Sequence, residues 1–264
     1  MRIGITGASG FLGGALVAEA QQRNHIVVPI QLPRTDDLRQ SSILESILSS
    51  AHCDVIIHTA VARHPITVIE HYLNAELPSA LERVFHSVNQ KGVFVHISSI
   101  GVVVKSLQDT YITSKREAEL RLVGSRSLII RPNLIWSRYA KGDAGRLQEF
   151  LLRYPISFMV FPGNKYLPVL DIKLAKEILS LIVQGKQVFG VIDIMGDKPY
   201  TVWKLAKYVA KEHNRKLFPI PIPWSLPFLP SVLRNTDCTV FNNNWKPKSD
   251  RRIVIPFSLG DLCR

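Results

Sequence analysis

From Met1 to about Leu134, short apolar runs alternate with longer stretches of helical period. That alternation confines the chain to repeated strand–helix–strand units, and so to an α/β fold with a parallel sheet covered by helices. The strand cores are Ile3 to Thr6, Ile26 to Ile30, Val55 to His58, Val93 to Ile97 and Leu128 to Arg131. Each is compact and rich in Val and Ile, as a strand buried on both faces must be. Between them, Leu12 to Arg23, Ser41 to Ser50, Leu73 to Asn89 and Thr113 to Val123 repeat their apolar positions at three and four residues and are expected as the covering helices. Beyond Trp136 the alternation weakens, and loops with one helix are expected between Ser137 and Gly163. Leu174 to Gln184 and Val202 to Glu212 read as two further helices, separated by a short strand near Gly190 to Ile194. From Phe218 onward, Pro219, Pro221, Pro223, Pro227 and Pro230 rule out a regular helix.

The first strand runs directly into Gly7-Ala8-Ser9-Gly10-Phe11-Leu12-Gly13 and then into a helix. Gly7 allows a tight turn, Gly10 lets backbone amides approach a pyrophosphate, and Gly13 lets helix and sheet pack closely. The anion then meets the positive end of the helix. A strand before and an amphipathic helix after supply the context that separates this turn from an ordinary glycine-rich loop. After the second strand, the acid that marks an NAD-selective site is missing, and Gln31 stands in its usual place. Arg34 follows and suits a 2′-phosphate, which tilts the reading toward NADP and leaves NAD open; a lone arginine in a basic chain suits the surface equally well.

Tyr111-Ile112-Thr113-Ser114-Lys115 opens a helix and sets Lys115 one turn beyond Tyr111 on the same face. A tyrosine that shuttles protons at neutral pH needs a nearby positive charge to stabilise its phenolate, and Lys115 would supply it. Ser98-Ser99 follows the fourth strand directly, at the carboxyl end of the sheet where ligands bind in this architecture. The order of glycine turn, strand-end serine and tyrosine–lysine pair puts all three at one rim of the sheet. Arg116, Glu117 and Glu119 in the same helix read as normal surface residues.

The chain has 264 residues, 46% of them hydrophobic, enough for a full core. A formal net charge of +12 fits nucleic acid, an anionic surface or a phosphorylated small substrate. The basic residues are scattered apart from short groups such as Lys246, Lys248, Arg251 and Arg252, and no aromatics interleave with them, so no nucleic-acid partner is expected. Cys53, Cys238 and Cys263 have no CxxC spacing and point to a reduced, cytoplasmic setting. Secretory-leader features and a bilayer-length apolar run are absent from the sequence, so no stable membrane insertion is expected. His52, His58, His64 and His71 lack ligand spacing, and no metal is expected.

On these motifs the chain resembles the extended short-chain dehydrogenase/reductase family, the NAD-dependent epimerase/dehydratase type that modifies nucleotide sugars. Gly7, Gly10 and Gly13 fit its cofactor turn, with Ser9, Phe11 and Leu12 between them, and Asp37-Leu38 resembles its segment beside the adenine. Asp54 to Ala60 is similar to its fourth-strand motif, which implies Thr59, Ala60 and Val61 along the cofactor. Asn74 falls where the family keeps an asparagine, and Phe94 to Ser99 resembles the strand ending in its catalytic serine or threonine, with Ser99 the better match. Arg131-Pro132-Asn133-Leu134-Ile135 resembles the strand end that contacts nicotinamide and substrate, and Tyr166 to Asp171 a later segment. The tail from Leu217 to Pro223, with Asn244-Trp245-Lys246-Pro247, is similar to members acting at C4 of UDP-N-acetylhexosamine derivatives for surface polysaccharides.

The resemblance implies a Rossmann-like doubly wound parallel sheet over 1–155, carrying the catalytic residues Ser99, Tyr111 and Lys115. It also implies a smaller C-terminal substrate-binding region over 156–264, with some chain crossing back. The cofactor would be NADP or NAD, the substrate a nucleotide sugar, and the assembly a homodimer. The activity expected is that of an oxidoreductase or epimerase. Three departures stand against it, the first being a second strand that runs almost directly into Asp37 as though the third strand were trimmed. The loop between Ser99 and Tyr111 is short for the family, and Val102-Val103-Val104 replaces its tyrosine–glycine ending. A non-catalytic NADP-binding sensor or scaffold of the same fold is therefore the alternative.

Overall fold

The structure is a computed structural model, described here for residues 1–33, 35–62, 65–103, 109–122, 124–137, 145, 149, 153, 156–161, 165–184, 189–223 and 251–258. Arg34, His64, Val104, Lys246, Lys248 and the Asn244 to Pro247 motif lie outside these residues, as does most of the segment from Ser137 to Gly163.

The five expected strands form as β1 (Arg2–Thr6), β2 (Ile26–Ile30), β3 (Val55–His58), β4 (Val93–Ile97) and β5 (Ser127–Pro132). Two more, β6 (Gly190–Gly196) and β7 (Arg251–Ile255), complete a seven-stranded sheet of order β7-β6-β5-β4-β3-β1-β2. Every neighbouring pair is parallel. This is a Rossmann-like α/β fold. The sheet reads β1 first, steps outward to β2 and returns across β1 to β3, so the switch point lies between β1 and β3, where such sheets open a crevice at their carboxyl ends. Pro29 is tolerated in β2 because that strand is the sheet's edge.

The helices are α1 (Phe11–Gln22), α2 (Ser41–Ala51), α3 (Val68–Ala75), α4 (Leu77–Val88), α5 (Thr110–Leu122), α6 (Asp171–Val183) and α7 (Val202–Glu212). One face of the sheet, through Ile3, Ile5, Ile57, Val95 and Ile130, packs on Leu12 and Leu16 of α1 and Leu174 and Ile178 of α6. The other face, through Ile56, Phe94 and Ile129, packs on Leu44 and Leu48 of α2 and Leu81 and Phe85 of α4. A third cluster, Trp136, Leu170, Leu205, Val209 and Phe257, seats α7.

The single helix read from Leu73 to Asn89 is two helices. Thr67 and Glu70 form a capping box that starts α3 earlier than expected, and Pro78 in the first turn of α4 ends the continuous hydrogen-bond ladder at Glu76. The proline-rich segment Phe218–Pro223 is extended and pairs parallel with Ile156–Phe161. Among the described residues, no helix is long and apolar enough to cross a membrane.

Candidate functional site

At the end of β1, Gly7 takes φ +69°, a backbone conformation open to glycine, and Gly10 N–H donates to the Gly7 carbonyl at 2.8 Å. α1 begins at Phe11 with no side chain capping its first amides and no acid in its first turn. A Cβ on Gly13 would stand 2.1 Å from the Gly7 oxygen, and one on Gly7 would stand 2.8 Å from the Ala60 nitrogen and from Thr59 Oγ1. The turn is thus closed against helix and strand and open only at Ser9 and Gly10, which are exposed. A helix N-terminus with no side-chain cap and no carboxylate in its first turn fits a dinucleotide pyrophosphate.

The opposite wall of the crevice is the segment after β3. Thr59 Oγ1 donates to the Thr6 carbonyl at 2.7 Å, and Ala60 N–H donates to Thr6 Oγ1 at 3.3 Å. Asn74 of α3, 1% exposed, receives the Ala62 N–H at 2.8 Å and donates to the Ala62 carbonyl at 2.6 Å, which fixes the path of Thr59, Ala60 and Val61. Asp37 is exposed and accepts from Thr35 Oγ1 and Gln40 Nε2, while the Leu38 side chain points into the core. Arg34 lies outside the described residues.

Tyr111 and Lys115 lie on α5, where the Asp109 carboxylate accepts the Ile112 N–H at 2.8 Å in the first turn. Lys115 is 2% exposed and its Nζ donates to the Ile97 carbonyl at the end of β4, at 2.7 Å. Burial pulls its ammonium down to about 7, against the pull of Glu119 in the other direction. Tyr111, one turn earlier, is half-buried. Of the two strand-end serines, Ser98 donates its hydroxyl to Glu119, whereas Ser99 Oγ accepts the Gly101 N–H at 3.2 Å and keeps its own proton for another acceptor.

Pro132, the last residue of β5, and Asn133 after it are buried, and Leu134 is half-buried. Asn133 Oδ1 accepts from the Leu134 and Leu167 amides, while its buried Nδ2 has no hydrogen-bond partner. This ties the end of β5 to the segment entering α6.

Sequence reasoning missed the polar floor below the crevice. His58 and His96 sit opposite each other in register on β3 and β4, both fully buried, with rings stacked 18° from parallel at 5.6 Å. Burial drives both well below the ordinary imidazole value, with the Lys115 charge adding to the effect. His58 Nδ1 lies 2.8 Å from Thr6 Oγ1. The same hydroxyl accepts the Ala60 N–H, so Thr6 joins the ring to the segment after β3. Glu119, read as a surface residue, is 6% exposed and paired with Arg131. Its partners are distant in sequence, so nothing in the local run of charges marks it as buried.

Residues 3–120 match the model of the NAD dependent epimerase/dehydratase family. No curated protein matches the chain. Among solved structures, dTDP-4-dehydrorhamnose reductase from Bacillus anthracis in complex with NADP is similar at TM-score 0.70 and 18% identity, covering 84% of this chain and 84% of that one. The Bordetella bronchiseptica enzyme WbmG in complex with NAD and UDP is similar at TM-score 0.70 and 16% identity, over 88% and 84% of the two chains. UDP-glucose 4-epimerase from Thermus thermophilus in complex with NAD is similar at TM-score 0.69 and 16% identity, over 99% and 92%. At such identities the likeness is one of fold. The residues matched by that family model hold the glycine turn, the strand-end serines and the tyrosine–lysine pair.

Proposed function

We propose that the chain is an NADP- or NAD-dependent enzyme that reduces or epimerises a nucleotide sugar at a ring carbon, with C4 as the position of choice. The observation that carries this reading is the seating of Lys115, buried against the Ile97 carbonyl one helical turn beyond Tyr111, at the same sheet rim as the open glycine turn. An ammonium held there serves a phenol beside it; a solvated surface lysine would not be buried at such cost.

The dinucleotide, when bound, supplies or accepts the hydride. Gly7, Ser9, Gly10, Phe11, Leu12 and Gly13 would hold its pyrophosphate, and Arg34, Asp37 and Leu38 its adenosine end. Thr59, Ala60 and Val61 would line its length, with Tyr111, Lys115, Pro132, Asn133 and Leu134 toward the nicotinamide. Tyr111 exchanges a proton with the sugar hydroxyl or ketone, Ser99 donates a hydrogen bond that orients the same oxygen, and Lys115 stabilises the phenolate. The region from residue 156 onward would receive the sugar nucleotide, whose phosphates suit a chain of net charge +12. The known ligands of the fold's neighbours, NADP in one and NAD with UDP in another, support this assignment.

The test is titration calorimetry with both dinucleotides, followed by turnover assays on UDP- and dTDP-linked 4-keto sugars and on the matching 4-epimers. Tyr111→Phe should keep dinucleotide binding and lose about 100-fold or more in turnover. Tight dinucleotide binding with no turnover across the panel would instead make the chain a sensor or scaffold, and the absence of dinucleotide binding would sink both readings.

A further inference from the structure

Tyr111, Lys115 and Glu119 follow one another at four-residue intervals and so share a face of α5. Glu119 is almost wholly buried, and its carboxylate is heavily engaged. Ser98 donates its hydroxyl to Oε1, Arg131 Nε donates to both oxygens at 2.9 and 3.0 Å, and Arg131 Nη2 donates to Oε2 at 2.5 Å. Arg131 Nη1 in turn lies 3.7 Å from Asp193 Oδ1 on β6, and Asp193 has no exposed surface. One side chain thus joins α5 to the end of β4 and to β5, and through Arg131 to β6.

Within the cluster Arg131 lies between the carboxylates of Glu119 and Asp193. The remaining buried cation facing Glu119 is Lys115, whose ammonium the carboxylate raises against the burial that lowers it. Among the described residues, the titratable groups facing Lys115 are Tyr111 and Glu119 on its own helix and the neutral His58 and His96 on β3 and β4. From α3, His71 faces Glu117, and at the turn after β4, Val102 receives Arg116, so neither element presents a charge to Lys115.

We infer that Glu119 is a positioning residue, which retains the proton on Lys115 and locks the helix carrying Tyr111 to the strand end carrying Ser99, with Arg131 holding its carboxylate in place. This rests on the reading that Lys115 serves the phenol. The cluster would make the ammonium a property of the folded chain, in place before any ligand arrives.

The experiment is NMR titration of the lysine side-chain nitrogens in the full, ligand-free chain, with the Lys115 signal assigned by its absence from Lys115→Met. The wild-type midpoint should lie at about 7. In Glu119→Gln it should fall by about one pH unit or more, a tenfold change in the proton equilibrium, and Glu119→Asp should bring it back toward the wild type. In turnover, the alkaline limb of the pH profile should move to lower pH with kcat reduced and KM for the sugar nucleotide little changed. If Glu119→Gln does not fold, Asp193→Asn removes one negative charge beside Arg131 while leaving the Arg131–Glu119 pair, and should shift the midpoint in the same direction by less. A Lys115 midpoint that stays put in a folded variant overturns the inference. Failure of dinucleotide binding in the wild type would overturn the functional reading while leaving this measurement intact.

Discussion

Gly13 and Gly14 are neighbours in α1 with opposite roles. A methyl group on Gly13 would stand 2.1 Å from the Gly7 carbonyl oxygen, whereas one on Gly14 would have its nearest neighbour, the Ala8 oxygen, at 3.8 Å. Gly13→Ala must therefore push the first turn of the helix away from the glycine bend, and should weaken dinucleotide binding about tenfold or more and lower the melting temperature. Gly14→Ala removes helix-interior backbone freedom without a clash and should stabilise the chain by about 0.5–1 kcal/mol. Calorimetric titration and thermal unfolding of the two variants side by side check this; equal effects would mean that the turn does not press on the helix as drawn. Residues of the site that act through the backbone or through spacing along one helix were legible in the sequence, since Gly7, Gly10, Gly13, Tyr111 and Lys115 stand in fixed local patterns. Glu119, Asp193 and the His58–His96 pair were not, because each owes its burial to a partner on another strand or helix.

At the scale of elements, the loop that faces the glycine turn is shaped by a helix rather than by its own sequence. Asn74, in the last turn of α3, satisfies both the N–H and the carbonyl of Ala62 and is itself buried. Replacing it by leucine leaves two backbone groups without partners and should cost about 2 kcal/mol of stability. Dinucleotide affinity should fall with it, as Thr59 to Val61 lose their fixed path. Hydrogen exchange should locate the loosening at residues 59–62, and protection unchanged there would show that the loop holds itself. The start of α3 was available in the sequence as Thr67-x-x-Glu70, and Pro78 announced the break before α4; apolar periodicity alone ran the two helices together. β7 was missed for a different reason. It begins with Arg251 and Arg252, both exposed at the edge of the sheet, so a strand there lacks the apolar run that marks the five central ones.

For the whole molecule, burying His58, His96 and Lys115 ties folding stability to pH. Burial holds His58 at about 3 and His96 well below 6.5, and Lys115 at about 7 rather than 10.5. A group with a depressed folded pKa binds more protons unfolded than folded between its two values, so stability rises with pH across that window. For the histidines the window lies below 6.5, and their contribution is lost as the pH falls through it; for Lys115 it runs from about 7 up to 10.5, and stability is gained as the pH climbs. Each group at full difference contributes about 1.4 kcal/mol per pH unit. The ligand-free chain should therefore show a urea midpoint that drops from about pH 6.5 to 5 and rises from about pH 7 to 9, short of the range where the buried Cys53 thiol and Tyr72 phenol, both raised, reverse the trend. His96→Phe keeps a flat ring against His58 and cannot titrate, so it should remove about half of the acid slope. Lys115→Met should flatten the alkaline rise. A midpoint flat across both windows, or slopes that survive these substitutions, would mean that burial does not depress the proton affinity of the three groups, and the seating of Lys115 beside Tyr111 would have to be redrawn.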